Sequence, residues 1–275
     1  MKTGITAIVF LCSLNGTGQA INDVPKYKGE LPQQTSPVVT NYRTPPGRYA
    51  RLSSRQKEES STKVLDGLDA IGDLATNEVY QVSVAADIPD NSRPGKVYFK
   101  KEPGHVFVIL EKRDTVTGVS VAQSWGFYPV RPVTCLFLRT VKCEILDNGG
   151  RQYDAAITHL LTKAQFDFVK EKAMQLAQKK YNLNKYNCYE YAVELYNAIP
   201  GVTALTMTKV KFPFIFGRGG SPCGLYSQLR ELSGTSQPAQ LKISFGLFRS
   251  PVSHTQQASN GEVAGNGFVG LGMGK

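Results

Sequence analysis

The chain has 275 residues, five cysteines, three histidines and a formal net charge of +10. This length can bury one sizeable core, and the ordinary composition excludes a low-complexity or fibrous protein. The positive charge favours an anionic partner, such as an envelope polymer, lipid head groups or nucleic acid, although a solvated basic surface is the simpler explanation. Basic and aromatic residues are not interleaved as in RNA-binding proteins, so we expect no nucleic acid. Cys and His residues lack zinc-type spacing, so we expect neither a metal nor another cofactor.

The N-terminus has the pattern of an export signal. Met1-Lys2 provides a positive start, and Ile5–Leu14 is mostly apolar but too short to span a bilayer. Gly18-Gln19-Ala20 provides the small residues of a cleavage site. We therefore expect residues 1–20 to be removed on export and the mature protein to be secreted or periplasmic. No later segment is long and apolar enough to be transmembrane.

The remaining cysteines do not define one disulfide pattern. The mature chain keeps Cys135, Cys143, Cys188 and Cys223. A bond between Cys135 and Cys143 suits an oxidising compartment. A fully reduced set is equally compatible with the sequence.

Composition divides the mature chain into three parts. Residues 21–62 are rich in Pro, Ser, Thr, Gln and charge, which predicts a disordered leader. Residues 63–233 carry periodic apolar residues and form the predicted folded domain, beginning with an amphipathic helix over Val64–Leu74. Residues 234–275 return to Ser, Gln and Gly, which predicts a disordered tail.

The first half of the domain reads as a series of strands. The best strand is His105–Leu110, and the turn residues of Asp114–Gly118 join it to a return strand, so the two form a predicted hairpin. The other predicted strands are Glu78–Ala86, Val97–Phe99, Val133–Thr140, Val141–Leu146 and Tyr153–His159.

Three helix starts follow the strands. Thr162 and Gln165 form a capping box before a stripe of buried positions, predicted at Phe166, Val169, Ala173 and Leu176. Asn187 is the predicted N-cap of a helix that begins at Cys188 and stops near Pro200-Gly201. Ser221-Pro222 starts the last helix, with Ser as cap and Pro in the first turn.

Cys188 and His105 are the candidate catalytic pair. A thiol at a helix N-terminus lies at the positive end of the helix dipole, which favours the nucleophilic thiolate. His105 opens the best strand, and its pKa near neutrality suits a general base. A buried structural Cys and a structural His at a strand end are the alternatives. The two together are typical of a cysteine hydrolase.

Four motifs resemble one family. They are Gly104-His105 before an apolar strand, Gly126-Phe127-Tyr128-Pro129, the helix start Leu161–Phe166, and Tyr186-Asn187-Cys188 followed by Tyr191-Ala192. Their order is similar to that of the circularly permuted NlpC-type hydrolases of the papain-like fold, in which the His precedes the Cys. The resemblance covers roughly residues 79 to 232. It implies an α+β fold with an antiparallel sheet packed against the Cys-bearing helix.

The resemblance also implies a mechanism and a third catalytic residue. Cys188 would attack an amide carbonyl, such as that of a cell-wall stem peptide, and His105 would transfer protons. Gln123-Ser124-Trp125-Gly126 is similar to the Asn-Ser-Trp-Gly run that often orients the His, so Gln123 is the third candidate and Ser124 its alternative. The backbone N–H of Cys188 is the candidate oxyanion donor, and Tyr186 or Asn187 could add a second donor.

Two other functions remain open from the sequence. Permuted members of this fold include lipid acyltransferases and thioesterases, so Cys188 could carry a fatty acyl group. A non-catalytic envelope-binding or effector-like protein could also keep the fold, with an unidentified immunity or delivery partner.

Overall fold

The computed structural model describes residue 64 and residues 78–90, 93–97, 104–116, 120–137, 140–212 and 217–251. The expected export signal and leader lie outside these residues. So do the predicted helix beyond Val64 and the core of the predicted strand at Val97–Phe99. Val64 itself is buried in the main core.

Eight strands and four helices are placed in these ranges. The strands are β1 (Glu78–Asp87), β2 (His105–Asp114), β3 (Ser120–Pro129), β4 (Cys143–Asp147), β5 (Gln152–Leu161), β6 (Val210–Lys211), β7 (Arg218–Gly219) and β8 (Leu241–Arg249). The helices are α1 (Pro132–Leu136), α2 (Lys163–Leu176), α3 (Cys188–Asn197) and α4 (Pro222–Ser233).

An antiparallel sheet of six strands is the centre of this α+β fold. Its strand order is β4-β3-β2-β1-β5-β8, and β6 and β7 form a separate hairpin. The predicted hairpin is confirmed, since β2 pairs with β3.

The two faces of the sheet carry different apolar clusters because side chains alternate along each strand. Val106, Val108 and Leu110 of β2 belong to the main core with residues of α2, α3 and α4. We call this the helix face. Phe107 and Ile109 point to the other side, the far face, into a smaller cluster completed by Ala85, Tyr153 and Ala156.

The predicted helix starts are confirmed because each depends on a local capping motif. Thr162 and Gln165 form their capping box, and the four predicted residues are the buried positions of α2. Asn187 caps α3, and Ser221 caps α4 through the Gly224 N–H at 3.0 Å. None of the helices in the described ranges has the length and apolar character needed to cross a bilayer.

Two predictions are wrong. The strand expected over Val133–Thr140 is helical at its start, because Pro132 occupies the first turn of α1, where the missing proline N–H costs no hydrogen bond. The segment from residue 234 is not wholly a disordered tail. Its residues Leu241–Arg249 form β8, which pairs with β5 at the edge of the sheet. The rest of that expected tail, from residue 252, lies outside the described residues.

Candidate active site

The N-terminus of α3 is held by a closed set of hydrogen bonds. The Asn187 side chain accepts from the Tyr189 N–H at 2.8 Å, and the Glu190 carboxylate accepts from the Asn187 N–H at 3.0 Å. Gly220 ties both side chains to the loop before α4, because its N–H donates to Glu190 and its carbonyl accepts from Asn187. Cys188, the first residue of α3, is therefore fixed in position.

These bonds remove one candidate oxyanion donor. The amide nitrogen of Asn187 donates to the carbonyls of Leu183 at 2.9 Å and of Gly220 at 3.0 Å. Both of its N–H groups are therefore engaged inside the protein. Asn187 shapes the loop and caps the helix, and it is not available to a substrate.

Cys188 is partly exposed as a residue, but its thiol is buried against the beginning of β2. Burial raises its pKa to about 11. The Val106 backbone acts in the opposite direction and lowers the thiol pKa, while the Glu190 carboxylate adds to the rise. Burial therefore acts against the thiolate that the position at the helix N-terminus favours.

His105 stands at the same end of β2, but its ring points to the far face. The imidazole stacks on the rings of Tyr128, at 4.2 Å between centroids, and of Phe107, at 6.0 Å. Cys188 meets the next residue, Val106, from the side of α3. The thiol and the imidazole therefore lie on opposite sides of the same end of β2. The expected direct contact between the Cys188 sulfur and the His105 ring is not made.

The outer nitrogen of the imidazole faces a buried amide. A Cβ on Gly126 would stand 2.2 Å from His105 Nε2 and 3.1 Å from Asn148 Nδ2. Neither of these buried atoms has a hydrogen-bond partner among the described residues. Asn148 also accepts from the Tyr128 hydroxyl at 3.1 Å. The missing side chain of Gly126 therefore makes the space in which ring and amide face each other.

The positive charge of Arg151 lowers the pKa of both His105 and Cys188. Its guanidinium pairs with the Asp87 carboxylate at 2.7 Å and reaches the Tyr128 hydroxyl at 3.4 Å. Burial holds the pKa of His105 well below its usual value, and the Arg151 charge lowers it further. The imidazole is therefore neutral at physiological pH.

Neither predicted third residue reaches His105. Gln123 pairs with Leu110, five residues further along β2, and strand alternation directs it to the helix face. Ser124 is on the far face but donates to the Pro251 carbonyl at 3.3 Å. The pairing register explains both failures. When the residue pairs of β2 and β3 are counted outward from the turn that joins them, Tyr128, not Gln123, lies opposite His105.

Asn148 is the residue that the sequence reasoning missed. It follows β4 and is joined to β3 through its backbone N–H, which donates to the Ser124 carbonyl at 2.9 Å. Its only sequence signal is the run Asp147-Asn148-Gly149-Gly150, which predicts a turn and indicates no function.

The other histidines and cysteines stand apart from this site. His159 lies in β5 and meets the edge of Tyr196, near the C-terminal end of α3. His254 lies outside the described residues. The described cysteines are all free thiols; Cys143 donates to the carbonyls of Ala177 and Lys179. No group of His, Cys, Asp and Glu within the described ranges is arranged to hold a metal ion.

We compared the chain with protein-family models, curated proteins and solved structures, and none of them matches it. The geometry of the site is therefore the basis for a functional assignment.

Proposed function

We propose that this chain is an exported cysteine hydrolase with a permuted papain-like fold, which cleaves an amide bond. A peptide, such as the stem peptide of a bacterial cell wall, is the proposed substrate. One observation carries the proposal. The Cys188 sulfur, at the capped start of α3, lies close enough to the Val106 backbone for that backbone to lower the thiol pKa, and Val106 directly follows His105.

In the proposed reaction, neutral His105 is the general base. The thiol loses its proton to the imidazole as the sulfur attacks the carbonyl carbon, so no resting thiolate is needed. The imidazolium then protonates the leaving amine, and water hydrolyses the thioester that remains on Cys188. The backbone N–H of Cys188, at the helix N-terminus, is the proposed donor to the oxyanion.

The imidazole must approach the sulfur for this transfer. Nδ1 is the ring nitrogen closer to the main chain, and therefore to Val106, so Nδ1 is the proposed proton acceptor. Hydrogen bonds between catalytic groups are often long without substrate and tighten when substrate binds. Because the ring lies on the far face, this transfer also requires the His105 side chain to leave its stack on Tyr128 and turn towards the sulfur when substrate binds between α3 and the start of β2.

Asn148 is the proposed orienting residue in place of Gln123. Amide oxygen and nitrogen are assigned from the hydrogen-bond network. In the proposed arrangement the two are exchanged in Asn148, so that Oδ1 is directed at His105 Nε2–H and Nδ2 at the Tyr128 hydroxyl, which can accept as well as donate. A proton on Nε2 in this arrangement leaves Nδ1 free to act as the base.

Hydrolysis of peptidoglycan fragments tests the proposal, with phospholipid vesicles assayed in parallel for acyl transfer. Cys188→Ser should abolish turnover and leave thermal unfolding unchanged. Cys143→Ser is the matched control, because it replaces the thiol of another partly exposed cysteine with a hydroxyl that keeps its two carbonyl partners. Asn148→Ala should lower turnover by roughly ten- to a thousand-fold, the range of general acid–base assistance.

Three results would count against this function. Equal turnover in Cys188→Ser would reject the mechanism. Acyl transfer from lipid without amide cleavage would favour the acyltransferase. Binding of envelope polymer with neither reaction would favour a non-catalytic protein.

A further inference from the structure

Four exposed cations flank the loop that leads to Cys188. Lys185 lies in the loop, and Lys209, Lys211 and Arg218 lie on or next to the β6–β7 hairpin. None of the four forms an ion pair with a described residue. The segments that carry them, residues 182–187, 201–212 and 217–221, contain no Asp or Glu. These segments therefore supply no acidic partner of their own for the four cations.

The hairpin and the Cys188 loop form one connected unit. The Lys209 ammonium donates to the Asn184 carbonyl at 3.4 Å, and Arg218 donates to the Lys209 carbonyl at 3.2 Å. The backbones also pack directly, since a Cβ on Gly219 would stand 2.3 Å from the Leu183 carbonyl oxygen. The cations therefore keep their positions relative to the nucleophile.

Several cations elsewhere in the described fold have acidic partners. The described ion pairs are Lys112–Glu78, Arg151–Asp87, Lys163–Asp167, Lys170–Asp167 and Lys179–Glu194. The four cations beside Cys188 form no such ion pair, and the buried Glu190 carboxylate near them is bonded to the Asn187 and Gly220 N–H groups instead. Such a surface attracts an anionic ligand and raises its local concentration.

We propose that Lys185, Lys209, Lys211 and Arg218, together called the cationic rim, dock an acidic peptide whose carboxylates flank the bond attacked by Cys188. This substrate class rests on the proposed hydrolase function. A membrane surface fits less well, because interfacial binding needs an apolar face. Met207 is the only exposed large hydrophobic residue in the described segments that carry the rim.

Binding to the Cys188→Ser protein tests the rim without requiring turnover. The probe is fluorescein-labelled hexaglutamate, followed by fluorescence anisotropy at low salt, with hexaglutamine as the neutral probe. Lys209→Gln with Lys211→Gln should weaken hexaglutamate binding about two- to fivefold for each cation removed. Added NaCl should weaken it further by screening.

The matched control removes two cations away from the rim. Lys172→Gln with Lys242→Gln changes the net charge equally, and neither lysine has an ion pair with a described residue. The control should bind hexaglutamate like the parent.

An equal loss in the control, or equal binding of both peptides, would overturn the proposal. Binding to phosphatidylglycerol vesicles but not to hexaglutamate would also overturn it. Charge-selective peptide binding without hydrolysis by the wild-type protein would reject only the hydrolase function.

Discussion

His105 occupies a position that only glycine at residue 126 allows. A Cβ at Gly126 would stand 2.2 Å from Nε2, well inside contact distance. We therefore expect Gly126→Ala to displace the ring from Asn148 and to lower kcat/KM at least about tenfold. Gly95→Ala is the matched control, because nothing lies within 4 Å of its Cβ position. Unaltered kcat/KM in Gly126→Ala would show that this ring position does not matter for turnover.

The protonation states of Cys188 and His105 predict how the labelling rate of Cys188 and kcat/KM depend on pH. With a thiol pKa of about 11, alkylation of Cys188 by iodoacetamide should be slow near pH 7 and rise about tenfold per pH unit towards pH 11. The lowered pKa of His105 keeps the base neutral above its usual value of 6.5, so kcat/KM should not fall between pH 7 and pH 9.

Peptide mapping by mass spectrometry would separate Cys188 from the other cysteines. A labelling rate that is already on a plateau at pH 6 to 7 would mean a resting thiolate–imidazolium pair. It would contradict the neutral pair described here.

At the scale of the element, the capping boxes of α2 and α3 can be compared by removing the N-cap side chain of each helix. Asn187→Ala and Thr162→Ala each remove an N-cap, which should cost about 1–2 kcal/mol of stability in either helix. Only Asn187 also holds the loop at Gly220, next to the nucleophile. We therefore expect both variants to unfold earlier in urea, while only Asn187→Ala changes the labelling rate of Cys188. Equal labelling rates in the two variants would contradict a local role for this cap.

Local patterns predicted the helices well and the site only in part. The starts of α2, α3 and α4 depend on side chains within three residues of the cap, so sequence alone reveals them. Gln123 does not face His105 because the pairing register of β2 and β3 is set from the turn outward, and a motif resemblance does not take that register into account.

Asn148 could not be found in this way, because its position near His105 is set by tertiary structure. It follows β4, and β3 lies between β4 and β2 in the sheet. The nearness of the two residues therefore depends on the order of three strands, which local periodicity does not encode.

At the scale of the whole molecule, the C-terminal part of the described chain supports the site from across the sheet. Ser250 exchanges backbone hydrogen bonds with the turn before β5, donating to the Arg151 carbonyl at 2.9 Å and accepting from the Gly150 N–H at 3.0 Å. Its hydroxyl also donates to the Asn148 carbonyl and accepts from the Arg151 N–H. The residues that face His105 are therefore held by a segment about a hundred positions later.

Two truncations test this support. A chain ending at Gln240 lacks β8 and Ser250, loses the stacking of Phe248 on Tyr153, and leaves β5 as an unpaired edge. We expect it to lose about 3 kcal/mol or more of unfolding free energy, since burying one large apolar side chain is worth about 1.5–3 kcal/mol. Turnover should fall with it. A chain ending at Pro251 keeps all of these contacts and should be more stable in urea and more active than the chain ending at Gln240. Equal stability and turnover in the two truncated chains would show that β8 and Ser250 do not support the site.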